Sequence, residues 1–396
     1  MISTCNHLTP KPAAINRIIG EINGKVPGPT IVFFAGIHGN EPAGVRALED
    51  VFKELAEDDI KGSIYGITGN TKALEANQRY LTEDLNRIWT KERIKTLQSK
   101  ANLNAEEKEQ KELLDILNDI LKSNTGPFYF IDFHTTSSKT LPFITINDAI
   151  INRNFSKLFP VPIVLGIEEY LNGPLLSYIN ELGYVSLGFE SGQHEDQSAI
   201  VNSISFIYLT LVYSKAIAVE KVIGFPIHYN RLKTEAQGIF DIFEVVYLHK
   251  IKIDDSFSMK AGFKSFQNIN THTILAVSNG EPIKSKYKAK LFMPLYQSKG
   301  QEGFFLIKHI NPFFLNLSVF LRRFRVDNLL SWLPGVSWEN EDKNALLVNL
   351  KVTKFFAKSL FHLLGFRNKQ LDATHLKLNN RERASKTEMY KNEEWY

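Results

Sequence analysis

The sequence predicts an α/β fold: a mostly parallel or mixed central sheet flanked by helices, then a smaller strand-rich lobe and a helical C-terminal extension. Three observations predict it. Runs of β-branched and aromatic residues at 31–35 (IVFFA) and 128–133 (FYFIDF) have the composition of strands buried on both faces. Between them Val45, Leu48, Val51, Phe52 and Leu55 recur at helical spacing, as on an amphipathic helix. Strand and helix then alternate through the first half of the chain, the order that gives a sheet covered by helices.

Taken in order, the residues before Thr30 form an opening strand and turn, punctuated by Gly20, Gly24 and Gly28. The strand from Ile31 and a helix over 45–56 follow, then a short strand over 62–70. Residues 104–122 make a charged, periodic helix with an acidic first turn, as its macrodipole favours. A second buried strand at 126–134 precedes strands at 143–146, 162–165 and 185–190. A helix at 175–182 leads into the last of these, and a long apolar helix at 204–219 leaves it. From about Phe225, short strands with glycine-containing breaks (238–253, 274–277, 289–295) replace helical spacing. Basic, aromatic stretches with helical spacing return at 313–326 and 345–364, and the charge-dense end is expected to be partly disordered. The expected units are a catalytic domain over 1–224, a strand-rich lobe over 225–310, a helical extension over 311–366 and a polar tail over 367–396. There is no internal repeat.

Composition narrows the function classes. At 396 residues, 43% hydrophobic and 23% charged, the chain has an ordinary globular composition with room for more than one unit. A net charge of +4 is too small to argue for a nucleic-acid partner. From Asn311 onward there are 14 Lys/Arg against 9 Asp/Glu, so the preceding chain is close to neutral and the excess lies at the end. The only cysteine, Cys5, excludes an intrachain disulfide and fits a reducing compartment. The N-terminus lacks the basic start and apolar centre of a secretory signal. The most apolar helix is interrupted by Ser214 and Lys215 and is too short to be an integral membrane segment, so a cytoplasmic location is expected.

The first buried strand breaks at Gly36 and delivers His38 and Glu41 just past its carboxyl end, where open α/β sheets bind ligands. An imidazole and a carboxylate three residues apart on one turn can reach the same cation. His134 ends the second buried strand and Glu190 ends another. Two imidazoles and one carboxylate make a catalytic zinc set with a position left for water, whose pKa zinc lowers toward about 7. Glu190 is placed to take that water's proton and pass it to a leaving amine.

At these residues the chain resembles the aspartoacylase and succinylglutamate desuccinylase family, which is related to the zinc carboxypeptidases. The resemblance rests on Gly36-Ile-His38-Gly-Asn-Glu41, on Arg79-Tyr-x-x-x-Asp84-Leu-Asn86-Arg87, on Asp132-Phe-His134-Thr-Thr and on Gly188-Phe-Glu190-Ser-Gly. It implies a zinc carboxypeptidase-like fold and one Zn²⁺ per chain, held by His38, Glu41 and His134. It also implies Glu190 as general base, Arg79 polarising the scissile carbonyl, and Asn86 with Arg87 binding a substrate carboxylate. A planar guanidinium suits both arginine tasks, since it stays charged and meets a carboxylate through two parallel bonds. Asp84 and Asp132 read as supports for these groups rather than as ligands.

Two departures bear on substrate. The family's aspartoacylases carry an arginine in the stretch before the base, and here no Arg occurs between Arg153 and Arg231. They also use a tyrosine in the second lobe, where this chain has Phe305. Losing a cation and a phenol argues against N-acetylaspartate and for a larger or more apolar acyl-amino acid with one carboxylate. The expected activity is zinc-dependent hydrolysis of the amide, or ester, bond of a small N-acyl amino acid. The alternatives are a zinc carboxypeptidase acting on a short or cell-wall peptide, and a non-catalytic binding module that keeps the metal. A homo-oligomer is left open.

Blander roles stand beside these. Glu190 could be a helix N-terminal acid, Arg79 and Arg87 surface ion pairs, Asn86 a turn former and His194 a helix-start residue. The segment 313–326 could lie on a membrane surface, although a helix packed on the catalytic domain is the favoured expectation.

Overall fold

The computed structural model describes residues 15–339, 341, 343, 345–349, 351–353, 361–370 and 375–396; Cys5 lies outside the described residues. Its first unit runs β1 (Ile18–Asn23), β2 (Val26–Ala35), α1 (Ala43–Glu54), β3 (Lys61–Thr68), α2 (Thr71–Glu75), α3 (Lys91–Ser99), α4 (Ala105–Ser123) and β4 (Phe128–Thr136). Then come β5 (Phe143–Ile146), α5 (Ile150–Ser156), β6 (Ile163–Leu165), α6 (Leu175–Glu181), β7 (Val185–Gln193), α7 (Gln197–Tyr213) and α8 (Phe225–Glu235). The strands β8 (Ile242–Lys250), β9 (Phe257–Met259), β10 (Asn268–Ile269), β11 (Ile274–Ser278), β12 (Glu281–Lys284), β13 (Ala289–Phe292) and β14 (Glu302–His309) follow.

The apolar run of β2 is buried on both sides, and its alternation decides which residue meets which helix layer. Ile31, Phe33 and Ala35 pack with Val45, Leu48 and Val51 of α1 and Phe206 of α7. Val32 and Phe34 face the other way, onto Leu113, Leu117 and Ile120 of α4 and Ile179 of α6. β4 follows the same rule, with Tyr129, Ile131 and Phe133 on the first face and Phe128 and Phe130 on the second. The central sheet is mixed and has 11 strands in the order β1-β3-β2-β4-β7-β5-β6-β8-β14-β13-β10. Its middle is parallel, and the register sets Ala35 beside Phe133 and His134 beside Glu190. Three strand ends therefore arrive at one level, and the site forms there.

The strand-rich lobe is joined to the first unit through the central sheet. β8 pairs in parallel with β6, and β14, β13 and β10 continue the same sheet beyond it, while β9, β11 and β12 form a small sheet of their own. The lobe thus grows from the catalytic sheet's edge, which brings its loops over the strand ends.

The C-terminal extension is helical only at its start, α9 (Pro312–Arg323). The predicted helix over 345–364 gives way to β16 (Ala345–Asn349), with 354–360 outside the described residues. It pairs with β15 (Val336–Trp338) and β18 (His375–Asn380), and β17 (Phe366–Gln370) completes a four-stranded sheet. A short apolar run such as Ala345-Leu-Leu-Val fits a buried helix and a strand equally well by spacing; the available partner strands decide.

Nor is the end of the chain disordered over its described residues. The Tyr390 hydroxyl donates to the carbonyl of Phe128 (2.6 Å) and accepts from the backbone N–H of Val185 (3.0 Å). The tail is thereby pinned to the starts of β4 and β7, beneath the strand ends that carry the site. Trp395 packs at the same place, 5.3 Å from the ring of Phe155. A few buried aromatic anchors outweigh the high charge density that suggested disorder. No helix among the described residues is long and apolar enough to cross a membrane.

Candidate active site

Gly36 turns the chain at the end of β2 with φ of +69°, a conformation in which a Cβ is strained. Gly39 then passes so close to α2 that a Cβ would lie 2.0 Å from the carbonyl carbon of Ala73. These two glycines let His38 and Glu41 fold back over the sheet. The loop after α2, which carries Arg79 through Arg87, is held by a residue whose sequence context suggested only a favourable helix start. Glu106 is fully buried and accepts backbone N–H bonds from Leu81 (2.7 Å), Thr82 (2.9 Å) and Glu83 (3.2 Å). Burial alone would raise its carboxyl pKa, but these bonds outweigh burial and hold it below the ordinary 4.5. Its stabilisation is therefore complete above about pH 4.5 and is lost as pH falls through the lower folded-state value. Glu106→Ala is expected to cost at least about 3 kcal/mol by leaving several buried donors unpaired, as measured by denaturant unfolding.

His38, Glu41 and His134 converge, with one ligand atom from each lying within 4.8 Å of the others. His38 Nδ1 lies 2.9 Å from Glu41 Oε1, and His134 Nδ1 lies 3.0 Å from Oε2. The far nitrogen of each ring meets a carboxylate: Asp84 at 3.1 Å from His38 Nε2, and Asp132 at 2.8 Å from His134 Nε2. Such partners fix the ring orientation of ligating histidines. The backbone N–H of Thr135 adds a bond to Glu41 Oε2 (3.1 Å). Two inward Nδ1 atoms, one carboxylate between them and an acid behind each ring form a donor set that fits a divalent metal ion.

Burial works against the Glu41 carboxylate, yet His38 and His134 outweigh it and hold its pKa well below the ordinary value. Burial likewise opposes a charged His134, but Asp132 and Glu41 raise its pKa well above normal. Glu190 stands apart: burial pushes it up to about 8, Glu41 and Asp132 push in the same direction, and His134 and Arg79 oppose. Its Oε2 is buried without a hydrogen-bond partner among the described residues. That is no exposed helix-terminal acid.

Arg79 is likewise no surface ion pair. Its Nη1 donates to Glu41 Oε1 (3.4 Å) and its Nη2 to Asp84 Oδ2 (3.1 Å), while its Nε is buried with no partner among the described residues. Arg87 uses Nε and Nη2 on Glu302 Oε1 (3.3 and 3.2 Å) and Nη1 on the carbonyl of Asn86. The Asn86 side chain accepts from the backbone of Leu175 (2.9 Å), which ties this turn to the start of α6.

These groups line one cavity of about 120 Å³, together with Glu190, His194 and residues of the second lobe. His194 bonds to Thr135 Oγ1 (2.8 Å) and to Gln297 Oε1 (3.1 Å), so it belongs to the wall of the site. Phe305 lies in the wall as well. Arg79 and Arg87 are the only Lys or Arg side chains among the described lining residues; Arg153 is instead bonded to Asp148. Glu302 and Gln297 carried no signal in the sequence, because each reaches the site from far along the chain, Glu302 meeting Arg87 across 215 residues and Gln297 meeting His194 across 103.

Residues 27–199 match the family model of the succinylglutamate desuccinylase/aspartoacylase catalytic domain. Over this span the chain carries the family's catalytic domain pattern. The matched span holds the site residues described above except Gln297, Glu302 and Phe305 of the second lobe. One relative in the family, succinylglutamate desuccinylase from Photorhabdus laumondii, is 42% identical over 62 residues, 15% of this chain and 19% of that protein. The enzyme of the same name from Pseudomonas syringae is 34% identical over 64 residues, 16% of this chain and 19% of that protein. The chain thus spans about a fifth of the length of these curated relatives. Family structures carry the likeness further. A succinylglutamate desuccinylase/aspartoacylase from Rhodobacter sphaeroides superposes with a TM-score of 0.56 at 14% identity, over 74% of this chain and 88% of that one. The product-bound ectoine utilization protein EutE (DoeB) from Ruegeria pomeroyi gives 0.52 at 15% identity, over 72% and 86%. At such identities the likeness establishes the family's fold.

Proposed function

We propose that this protein is a zinc-dependent deacylase that hydrolyses the amide bond, or a related ester bond, of an N-acyl amino acid bearing one carboxylate. The observation that carries this reading is the convergence of His38, Glu41 and His134 beside a buried, unpartnered Glu190 oxygen. Zinc held by His38, Glu41 and His134 would supply a polarised water and charge stabilisation at the carbonyl.

The remaining steps belong to the chain's own residues. Glu190, in the cavity wall beside His134, takes the attacking water's proton on its carboxylate, then delivers it to the leaving amine. Arg79, braced between Glu41 and Asp84, lines the cavity with its guanidinium held in place to meet the developing oxyanion. Asn86 and Arg87 bind the substrate carboxylate, and Glu302 aims the Arg87 guanidinium from the second lobe.

The charge balance favours a monoanionic substrate. Glu41, Glu190 and Glu302 line the cavity with Arg79 and Arg87, and Glu302 already offsets part of Arg87. Ile146, Ile167, Leu171, Leu176, Met293 and Phe305 supply apolar wall for an acyl chain. A second substrate carboxylate would find no free cation among the described lining residues. Release of free amino acid from a panel of N-acyl amino acids tests this. Apolar acyl substrates are expected to exceed N-acetylaspartate in kcat/KM by at least about tenfold. Comparable turnover of N-acetylaspartate would contradict the substrate assignment.

A further inference from the structure

We propose that α9 and the residues following it, 312–333, dock on a lipid bilayer carrying acidic headgroups. The helix seats Leu315 and Leu321 half-buried against the fold, but its most buried side chains are polar and its aromatic ones lie outside. An ordinary surface helix turns its apolar stripe to the core. α9 instead buries Ser318 and Arg322, and Arg322 donates to the carbonyl (2.9 Å) and side chain (2.8 Å) of Asp148 while Ser318 donates to the carbonyl of Leu363 (2.7 Å). Polar bonds anchor its inner face, and the aromatic residues are left outside. Phe313, Phe314, Phe320 and Phe324 are 65%, 50%, 56% and 64% exposed, and Trp332 just beyond is 81% exposed. Leu329 and Leu333 are exposed too. The rings group in pairs, Phe320 with Phe324 at 4.6 Å and Phe313 with Phe314 at 5.5 Å. So many large apolar side chains in one short surface segment mark an interaction site.

Charge identifies the occupant. Arg323 and Arg325 are exposed among these rings. The one acidic residue of the segment, Asp327, is buried and bonded to Arg383 and Asn380. The exposed part of the segment therefore presents aromatic rings and guanidinium groups with no carboxylate. A two-fold contact with a second copy would face these arginines with another set and supply no acid from the segment. A bilayer surface supplies both requirements, an apolar layer for the rings and phosphate for the arginines.

Cosedimentation of the full chain with vesicles tests the proposal, using phosphatidylcholine alone and phosphatidylcholine mixed with phosphatidylglycerol. Binding is expected only to the mixed vesicles and is expected to weaken as salt is raised. The double substitution R323Q/R325Q is expected to lower partitioning about thirtyfold, and F320S/F324S/W332S to abolish it. Because these side chains are exposed, thermal unfolding and acyl-amino acid turnover should be unchanged in both variants, which separates failed docking from failed folding. Absence of the full chain from the mixed-vesicle pellet would overturn the proposal. So would equal binding to neutral vesicles, or a solution dimer that F320S/F324S/W332S converts to monomer.

Discussion

Glu190→Gln is expected to retain the metal and lose at least about a hundredfold in kcat, the lower range for general base catalysis. The substitution preserves shape while removing the carboxylate's charge and its capacity to accept a proton. Glu190 lies beside His134 across parallel strands, fixed by the register of β4 and β7, so the packing of the site should survive. The pH profile gives a second readout. The base works only when deprotonated, so the rate rises with pH through its pKa. Burial pushes that pKa up to about 8, and a cation held by His38, Glu41 and His134 pulls it down. An acid limb below pH 8 is therefore expected in the natural protein and is expected to vanish in the variant. Unchanged turnover in Glu190→Gln would remove this residue from the mechanism.

Glu41→Ala is expected to act differently, on metal binding and on folding together. The carboxylate meets Nδ1 of both histidines, the backbone N–H of Thr135 and Arg79 Nη1. Its loss removes the one negative ligand and leaves these groups without their acceptor. Metal affinity should fall by more than about a hundredfold, beyond the range for losing a supporting partner such as Asp132. Stability should fall by about 3 kcal/mol or more, as when one member of a buried charged pair is deleted. Metal titration and thermal unfolding of Glu41→Ala beside Asp132→Asn separate the ligand from the support. If the two variants bound metal alike, Glu41 would not be a ligand.

The sequence displayed those parts of the site that follow from continuous apolar strands. β2 and β4 are uninterrupted buried runs, so the residues that end them, His38 and His134, stood out as groups at a sheet's rim. The parallel register then did the rest by aligning Glu190 with His134. Glu106 was not legible as the organiser of the Arg79–Arg87 loop, because a glutamate in a first helical turn has a sufficient local explanation in the macrodipole. Glu302 and Gln297 were not legible for another reason: their partners are set by how the second lobe grows from the sheet edge, which no local pattern encodes. The C-terminal strands and tail failed on the same ground. Ala345–Asn349 is a strand because β15 and β18 flank it, and Tyr390 is ordered because the starts of β4 and β7 offer it a carbonyl and an N–H.

The central claim is that His38, Glu41 and His134 share one divalent ion. The most direct measurement is an anomalous difference map from crystals of the full chain, with data collected on both sides of the zinc absorption edge. One peak, present only above the edge and within bonding reach of both imidazoles and the Glu41 carboxylate, is the expected result. Crystals of zinc-supplied protein with no peak among these side chains, or with zinc bound elsewhere, would contradict it.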